Sequence, residues 1–251
     1  MEKRTGPVIV AIVMLLVIWQ ILALVIGQEI ILVAPWGVVT TLVGLVPQAF
    51  FWATIGHSLS RILAGFLLAF GIGLLLAWLG SYNRWVAGFC TTLMRVIRSI
   101  PVVSIIILLL IWATASGLGL WVSFLMVVPI VYVNAEEGFA ARDPQLGEMA
   151  TVFGLSAARR WWAISLPALL PYLSAATRVG VGLAWKAGVS AEVIGLPRGS
   201  IGERLYQAKI FLATADLFAW TVVIVALSYL GERLALGGLR RAERVLGRYG
   251  A

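Results

Sequence analysis

Residues 99–135 read SIPVVSIIILLLIWATASGLGLWVSFLMVVPIVYVNA, with no Asp, Glu, Lys or Arg anywhere in the run. A helix needs about 20 mostly apolar residues to cross about 30 Å of hydrocarbon, and lipid offers no partner to an open backbone, so only closed structures span it. The run is long enough for two crossings if the chain turns near Gly117 and Gly119. Working outward, residues 5–28 and 62–83 are also free of charge, and each predicts one helix. Residues 175–195 carry Arg178, Lys186 and Glu192, and residues 217–231 continue past Glu232 toward Leu236; both remain apolar enough to span. Residues 30–53 are apolar but broken by Pro35, Gly37, Gly44 and Pro47, which predicts an interfacial or partly re-entrant connection. The expectation is an all-α polytopic membrane protein of about six transmembrane helices.

Composition supports the same class. Of 251 residues, 61% are hydrophobic and 12% charged, against about 45–50% and about 25% in soluble domains. A water-soluble globule is excluded. A single cysteine, Cys90, forms no intramolecular disulfide, and a single histidine, His57, leaves no cluster of His/Cys metal-site spacing. No metal or catalytic residue is therefore expected. The net charge of +8 comes from Lys and Arg placed between apolar runs, not gathered on a soluble face, so nucleic acid is not an expected partner.

The basic residues also predict orientation. With the N-terminus (Lys3, Arg4) in the cytoplasm, six crossings put Arg84, Arg95, Arg98, Arg142, Arg159, Arg160, Arg178 and the tail arginines Arg233, Arg240, Arg241, Arg244 and Arg248 on the same side. Arg61, Arg198, Arg204 and Lys209 fall opposite, and Lys186 lies within a span. The positive-inside rule then places both termini in the cytoplasm. The first span is longer than a signal-peptide core and lacks an Ala-x-Ala site after Ile26, so it reads as an uncleaved anchor. The chain is expected to be one permease-like membrane domain over residues 1–251. It has an anchor at about 7–26, a core at about 55–236 and a basic tail at about 237–251.

One cytoplasmic connection, residues 136–171, is long. Asp143 and Pro144 suit the start of a helix, Gly154 suits a left-handed C-terminal residue, and Ser156 suits the cap of a second helix, residues 157–166, which Pro167 is expected to end. A helical hairpin at about 143–167 has the shape of a docking element.

At these residues the sequence resembles the inner-membrane permease subunits of binding-protein-dependent ABC importers. Their signature is Glu-Ala-Ala, three residues, Gly, nine residues, then Ile-x-Leu-Pro. Glu148, Ala150, Gly154, Ile164, Leu166 and Pro167 match it, Leu155 follows the Gly, and Met149 departs from it. Residues 57–66, Arg98-Ser99-Ile100-Pro101 and Ala184-Trp185 with Ala191-Glu192 resemble the subgroup moving nitrate, sulfonates and taurine, with a departure at Val102 and Val103. The resemblance implies the type I importer permease fold in a bacterial-type inner membrane. It implies a second permease, as homodimer or heterodimer, and an extracytoplasmic solute-binding protein. It further implies ATPase subunits that bind ATP and Mg and receive the hairpin as a coupling helix. This chain has no P-loop of its own, since Lys3, Lys186 and Lys209 are followed by Arg, Ala and Ile.

Several residues carry a second, purely structural reading. Glu148 can complement the positive end of its own helix. Arg159 and Arg160 beside Trp161 and Trp162 fit either a solvated basic face over interfacial aromatics or a partner contact. Lys186 either faces an aqueous path, where it would attract an anion, or snorkels and pairs with another span. Glu192 and Arg61 are expected as an intramembrane ion pair, and His57 as a satisfied polar group. Gly65, Gly71, Gly73, Gly180, Gly182 and Gly188 are placed to let spans approach closely. An ion-coupled carrier or channel is the alternative function. It needs an intramembrane relay of ionisable groups, for which only Lys186 and Glu192 qualify. A membrane enzyme finds no paired carboxylates or nucleophile set.

Overall fold

The computed structural model describes residues 5–249, without the side chains of Thr5, Val8 and residues 242–249. The expected cytoplasmic placements of Lys3, Arg4, Arg244 and Arg248 lie outside that description. Eleven helices follow one another among the described residues: α1 (Thr5–Ile26), α2 (Pro35–Leu45), α3 (Ala49–Tyr82), α4 (Arg84–Ser99), α5 (Val102–Trp112), α6 (Leu118–Ala140), α7 (Pro144–Val152), α8 (Ala157–Arg160), α9 (Leu166–Gly195), α10 (Ile201–Ile210) and α11 (Thr214–Tyr249). Five spans are long and apolar enough to cross a membrane, and a sixth forms if the bent pair α4–α5 counts as one. The expected all-α polytopic fold is what the chain adopts.

The centre of the bundle is α3, α6 and α9, and glycine makes their contact possible. Without a hydrophobic drive between helices in lipid, close van der Waals approach has to hold them together. A Cβ at Gly188 would stand 2.6 Å from Ile62 Cγ1 and Ser123 Oγ, and one at Gly73 would stand 2.9 Å from Val131 Cβ. A Cβ at Gly65 would run into the Leu120 carbonyl, and one at Gly180 would crowd Phe66 and Val127. Gly71 and Gly182 touch nothing within 4 Å, so only four of the six expected glycines mediate packing inside the chain. Ser123 adds a hydrogen bond across the same seam, donating to the Ala184 carbonyl at 2.9 Å. Beyond this core, α11 lies against α9 and α2. The anchor α1 rests at the edge, where Trp19 donates to the Val33 carbonyl at 3.0 Å and meets Phe218 ring to ring.

Four expectations are corrected. The stretch at residues 30–53, expected as a broken connection, is largely helical: Pro35 starts the helix α2, and α3 begins at Ala49, well before residue 62, giving a helix of 34 residues. Pro35 occupies the first turn, where its missing N–H costs nothing. The run at residues 99–135 holds one unbroken span, α6, not two: α5 has only 11 residues and joins α4 across a 101° bend at Ile100 and Pro101, and the pair makes a second crossing only if its two arms, from Arg84 onward, count as one. The residue before proline is driven out of the helical region, and Ile100 accordingly sits at φ −81°, ψ 128°. Arg95 and Arg98 consequently lie on α4 near the bend, not in a loop. The long connection shrinks to residues 141–156, because α6 runs on to Ala140 and helix resumes at Ala157. Finally, Pro167 does not end the second helix of the hairpin. A π turn, Trp161–Ser165, joins α8 to α9, and helix is continuous over Ala157–Gly195, 39 residues through Pro167 and Pro171. The wider turn gives the proline ring room where an α-helix would set the carbonyl four residues back against it.

Replacing Gly188 with Val should cost at least about 1–3 kcal/mol, the range for overpacking a filled interior, and thermal unfolding of the purified chain in detergent reads it directly. Gly56→Ala, at a glycine with open space around it, should leave the midpoint unchanged or raise it, because helical Gly costs more conformational entropy than Ala.

Candidate functional site

At one end of the bundle stands the hairpin. Asp143 Oδ1 accepts from the Gln145 amide at 2.8 Å and caps α7, with Pro144 in the first turn, as its sequence predicts. The exit of α7 is fixed equally tightly. The Gly154 amide donates to the Thr151 carbonyl at 3.1 Å and the Leu155 amide to the Ala150 carbonyl at 2.9 Å, with Gly154 at φ +63°. This pair of bonds, closing around a left-handed glycine, is a Schellman motif. Ala150 is buried at the third position from the helix end and Leu155 is half-buried just past it, so the Ala-x-x-x-Gly-Leu spacing is the spacing the cap requires. Ser156 then accepts from the Arg159 amide at 3.4 Å and starts α8.

The outer surface of this hairpin is apolar. Leu146, Met149, Val152 and Phe153 are exposed, Phe153 by 72% and Val152 by 83%. Leu146, Met149 and Phe153 fall at i, i+3 and i+7, one helical face. Glu148 is exposed beside them, Ile164 and Leu166 are half-buried, and Pro167 is exposed. The sequence reading passed over Leu146, Val152 and Phe153. Their spacing was the available signal, but a nine-residue helix between spans offers too short a period to stand out from its apolar surroundings.

The residues expected inside the membrane separate into two groups. Lys186 is exposed on α9, in line with Arg178, Gly182 and Ser190 at steps of four. Ser190 donates to the Lys186 carbonyl at 2.7 Å. Among the described residues neither Arg178 nor Lys186 has an ion-pair partner. Glu192 faces the other way and is fully buried. Its Oε2 accepts from Ser58 Oγ at 2.7 Å and from the Gly202 amide at 3.2 Å, and Ser58 Oγ in turn accepts from the Ile201 amide at 2.9 Å. One carboxylate therefore ties α3 and α9 to the first turn of α10, where free amides favour an anion. The Gly202 position has to be glycine here, because a Cβ would overlap Glu192. The expected Arg61–Glu192 pair is not among the contacts made: Arg61 Nη1 and Glu192 Oε1 are both buried without a hydrogen-bond partner. His57 Nδ1 lies 3.3 Å from the Gly199 carbonyl, a further tie between α3 and the turn before α10.

A second polar set went unnoticed in the sequence. Thr91 donates to Glu136 Oε1 at 3.1 Å, and the Tyr132 hydroxyl lies 3.2 Å from the same oxygen, which joins α4 to α6. Tyr132 and Glu136 are four apart on α6, but Thr91 comes from another helix, so no local spacing marks the cluster.

The described residues thus form a bundle of membrane-spanning length with a capped hairpin at one end and an exposed cationic ridge on a central span. Residues 69–236 match the family of binding-protein-dependent transport system inner membrane components, and the chain belongs to it. It is similar to the taurine transport system permease protein of Escherichia coli, at 28% identity over 93% of this chain and 86% of the relative. The nitrate import permease protein of Synechococcus elongatus is 27% identical over 90% and 83%. A putative aliphatic sulfonates transport permease protein of Bacillus subtilis is 25% identical over 87% and 79%. The chain is a multi-pass inner membrane component of a binding-protein-dependent importer, a class of transport subunits.

Glu192→Ala should lower the unfolding temperature of the purified chain, since it leaves the Ser58 hydroxyl and the Gly202 amide buried without their acceptor, at about 1–3 kcal/mol for each group stranded. Glu192→Gln keeps one acceptor oxygen and should recover part of the loss. Equal stability of wild type and the Ala variant would show that the cluster bears no load.

Proposed function

We propose that this chain forms the path for a small anion and takes its driving force from separate ATPase subunits that bind ATP and Mg, docked on the hairpin Pro144–Val152 and the residues after it. The observation that carries the reading is the exposed apolar face of Leu146, Met149, Val152 and Phe153 on a cap-locked helix. Such a face gains most by burial against protein. In this reading Phe153 and Met149 are the apolar anchors and Glu148 supplies a charged contact at their rim. Ala150, Gly154 and Leu155 hold the shape, and Ile164, Leu166 and Pro167 seat the hairpin on the bundle.

The Arg178–Ser190 ridge suits the path. Two copies of the chain, or this chain and a related permease, would face each other across it, and a soluble receptor outside the membrane would deliver the solute. Lys186 then sits in a water-filled passage of low dielectric walls, where its charge favours an anion. Nitrate, a sulfonate and taurine, named for the relatives above, all carry such a group. Both termini and the hairpin face the cytoplasm in this arrangement, in keeping with the basic residues at the hairpin end.

Affinity capture of the tagged full chain from its native membrane should bring down a protein containing Gly-x-x-x-x-Gly-Lys-Ser/Thr. Glu148→Lys and Phe153→Asp should each abolish that capture, and so should Gly154→Pro, because proline holds φ near −65° where the cap needs +63°. Capture that survives all three changes refutes docking at the hairpin. For the path, Lys186→Gln should reduce uptake of the transported anion on the order of tenfold, equivalent to about 1.4 kcal/mol, with Lys186→Arg near wild type. Unchanged uptake in Lys186→Gln removes Lys186 from the path.

A further inference from the structure

Between the hairpin and the ends of α3 and α6 lies a cavity of about 930 Å³. That volume falls in the upper part of the range of sites that hold small organic ligands. It belongs neither to the ridge on α9 nor to the exposed apolar face of α7. Its wall on α7 is Pro144 and Gly147, which lie on a different side of that helix from Leu146, Met149 and Phe153.

The lining changes character along its length. Gly71, Leu74, Leu75 and Trp78 of α3 form one wall, which ends at Tyr82 on the last residue of the helix. From Gly71 to Tyr82 is about 16 Å at 1.5 Å per residue, so the wall descends from the helix end well into hydrocarbon depth. At the open end two guanidinium groups, those of Arg142 and Arg160, border the same space. Asp143 borders the space as well, its Oδ1 capping α7, so the lining carries two guanidinium groups against one carboxylate. Arg142 is steadied by its Nε bond to the Phe139 carbonyl at 2.9 Å and by lying over the Phe139 ring. Arg160 is exposed and free to reach inward.

We infer that this cavity is a binding site for one anionic phospholipid, with its phosphate at Arg142 and Arg160 and an acyl chain along Leu74 and Leu75. A free anion would use the arginines and leave the apolar wall empty. A zwitterionic lipid would use the wall and bring no net charge to a lining in which two arginines outnumber one aspartate. An anionic amphiphile alone matches both halves, and the aromatic rings of Trp78, Trp161 and Tyr82 in the lining are of the kind that favours the boundary between headgroup and hydrocarbon. Because Gly147 and Leu155 close the cavity from the hairpin side, a lipid lodged there packs between the hairpin and α3. The hairpin's seat would then depend on the anionic lipid content of the bilayer, whichever solute is carried.

The full chain, purified from nanodiscs of phosphatidylcholine containing a minority of phosphatidylglycerol, can be analysed by native mass spectrometry for retained lipid. Wild type should keep phosphatidylglycerol in preference to phosphatidylcholine. Removing either charge, Arg142→Gln or Arg160→Gln, should weaken that preference about fivefold per arginine, and Arg160→Lys should largely restore it. Leu75→Trp, a change at a half-exposed wall position that leaves both cations in place, should expel the lipid by filling the apolar half. Equal retention of the two lipids by wild type overturns the inference, as does an Arg142→Gln/Arg160→Gln variant that folds and keeps the wild-type preference. Displacement of phosphatidylglycerol by added inorganic phosphate overturns it too, since that would mark a site for a free anion.

Discussion

Everything in this molecule rests on how closely three helices can approach where water gives no help. Apolar side chains gain little from leaving lipid for one another, so α3, α6 and α9 are held by contact distance. Gly65, Gly73, Gly180 and Gly188 provide it by having no side chain at the crossing points. The same closeness brings polar groups into reach. Ser123 finds the Ala184 carbonyl and Glu192 finds Ser58 because the backbones around Gly188 and Gly119 leave no gap for anything else. Hydrogen bonds in such a setting cannot be exchanged for water, which makes their geometry part of the fold.

Much of this was legible in the chain. Charge-free runs and the caps at Asp143, Gly154 and Ser156 are local features, and local features survive folding unchanged. The errors arose where one residue type serves two purposes. Pro167 reads as a helix breaker, yet it is absorbed by a π turn and the helix continues, whereas Pro101, inside a run read as unbroken up to Gly117, sits at a 101° bend. Which outcome follows depends on whether neighbouring turns can widen, and that is decided by packing. The proline and glycine content of residues 30–53 misled for the same reason, since Pro35 opens a helix as readily as it ends one.

The candidate site was legible to a different degree. The signature residues Ala150, Gly154 and Leu155 stand out because a Schellman motif fixes their spacing, so their pattern reports the shape of the hairpin more than its contacts. The exposed side chains Val152 and Phe153 vary no local geometry and left no mark. Glu192 was noticed as a charge in a span, but its hydrogen-bond partners, Ser58 and the amide of Gly202, lie on other helices, and only the assembled bundle brings them together. Thr91 and Glu136 escaped for the same reason.

The continuity of α8, the π turn and α9 gives the molecule a mechanical property. A single shaft of 39 residues starts beside the hairpin and reaches the buried carboxylate at its far end. Any tilt imposed near Arg160 is therefore delivered near Glu192 without a relay of intervening side chains. Pro167 and Pro171, each lacking an amide to bond the turn before, are the places where part of such a tilt would be taken up as a bend, so the stiffness of the shaft is set close to the hairpin.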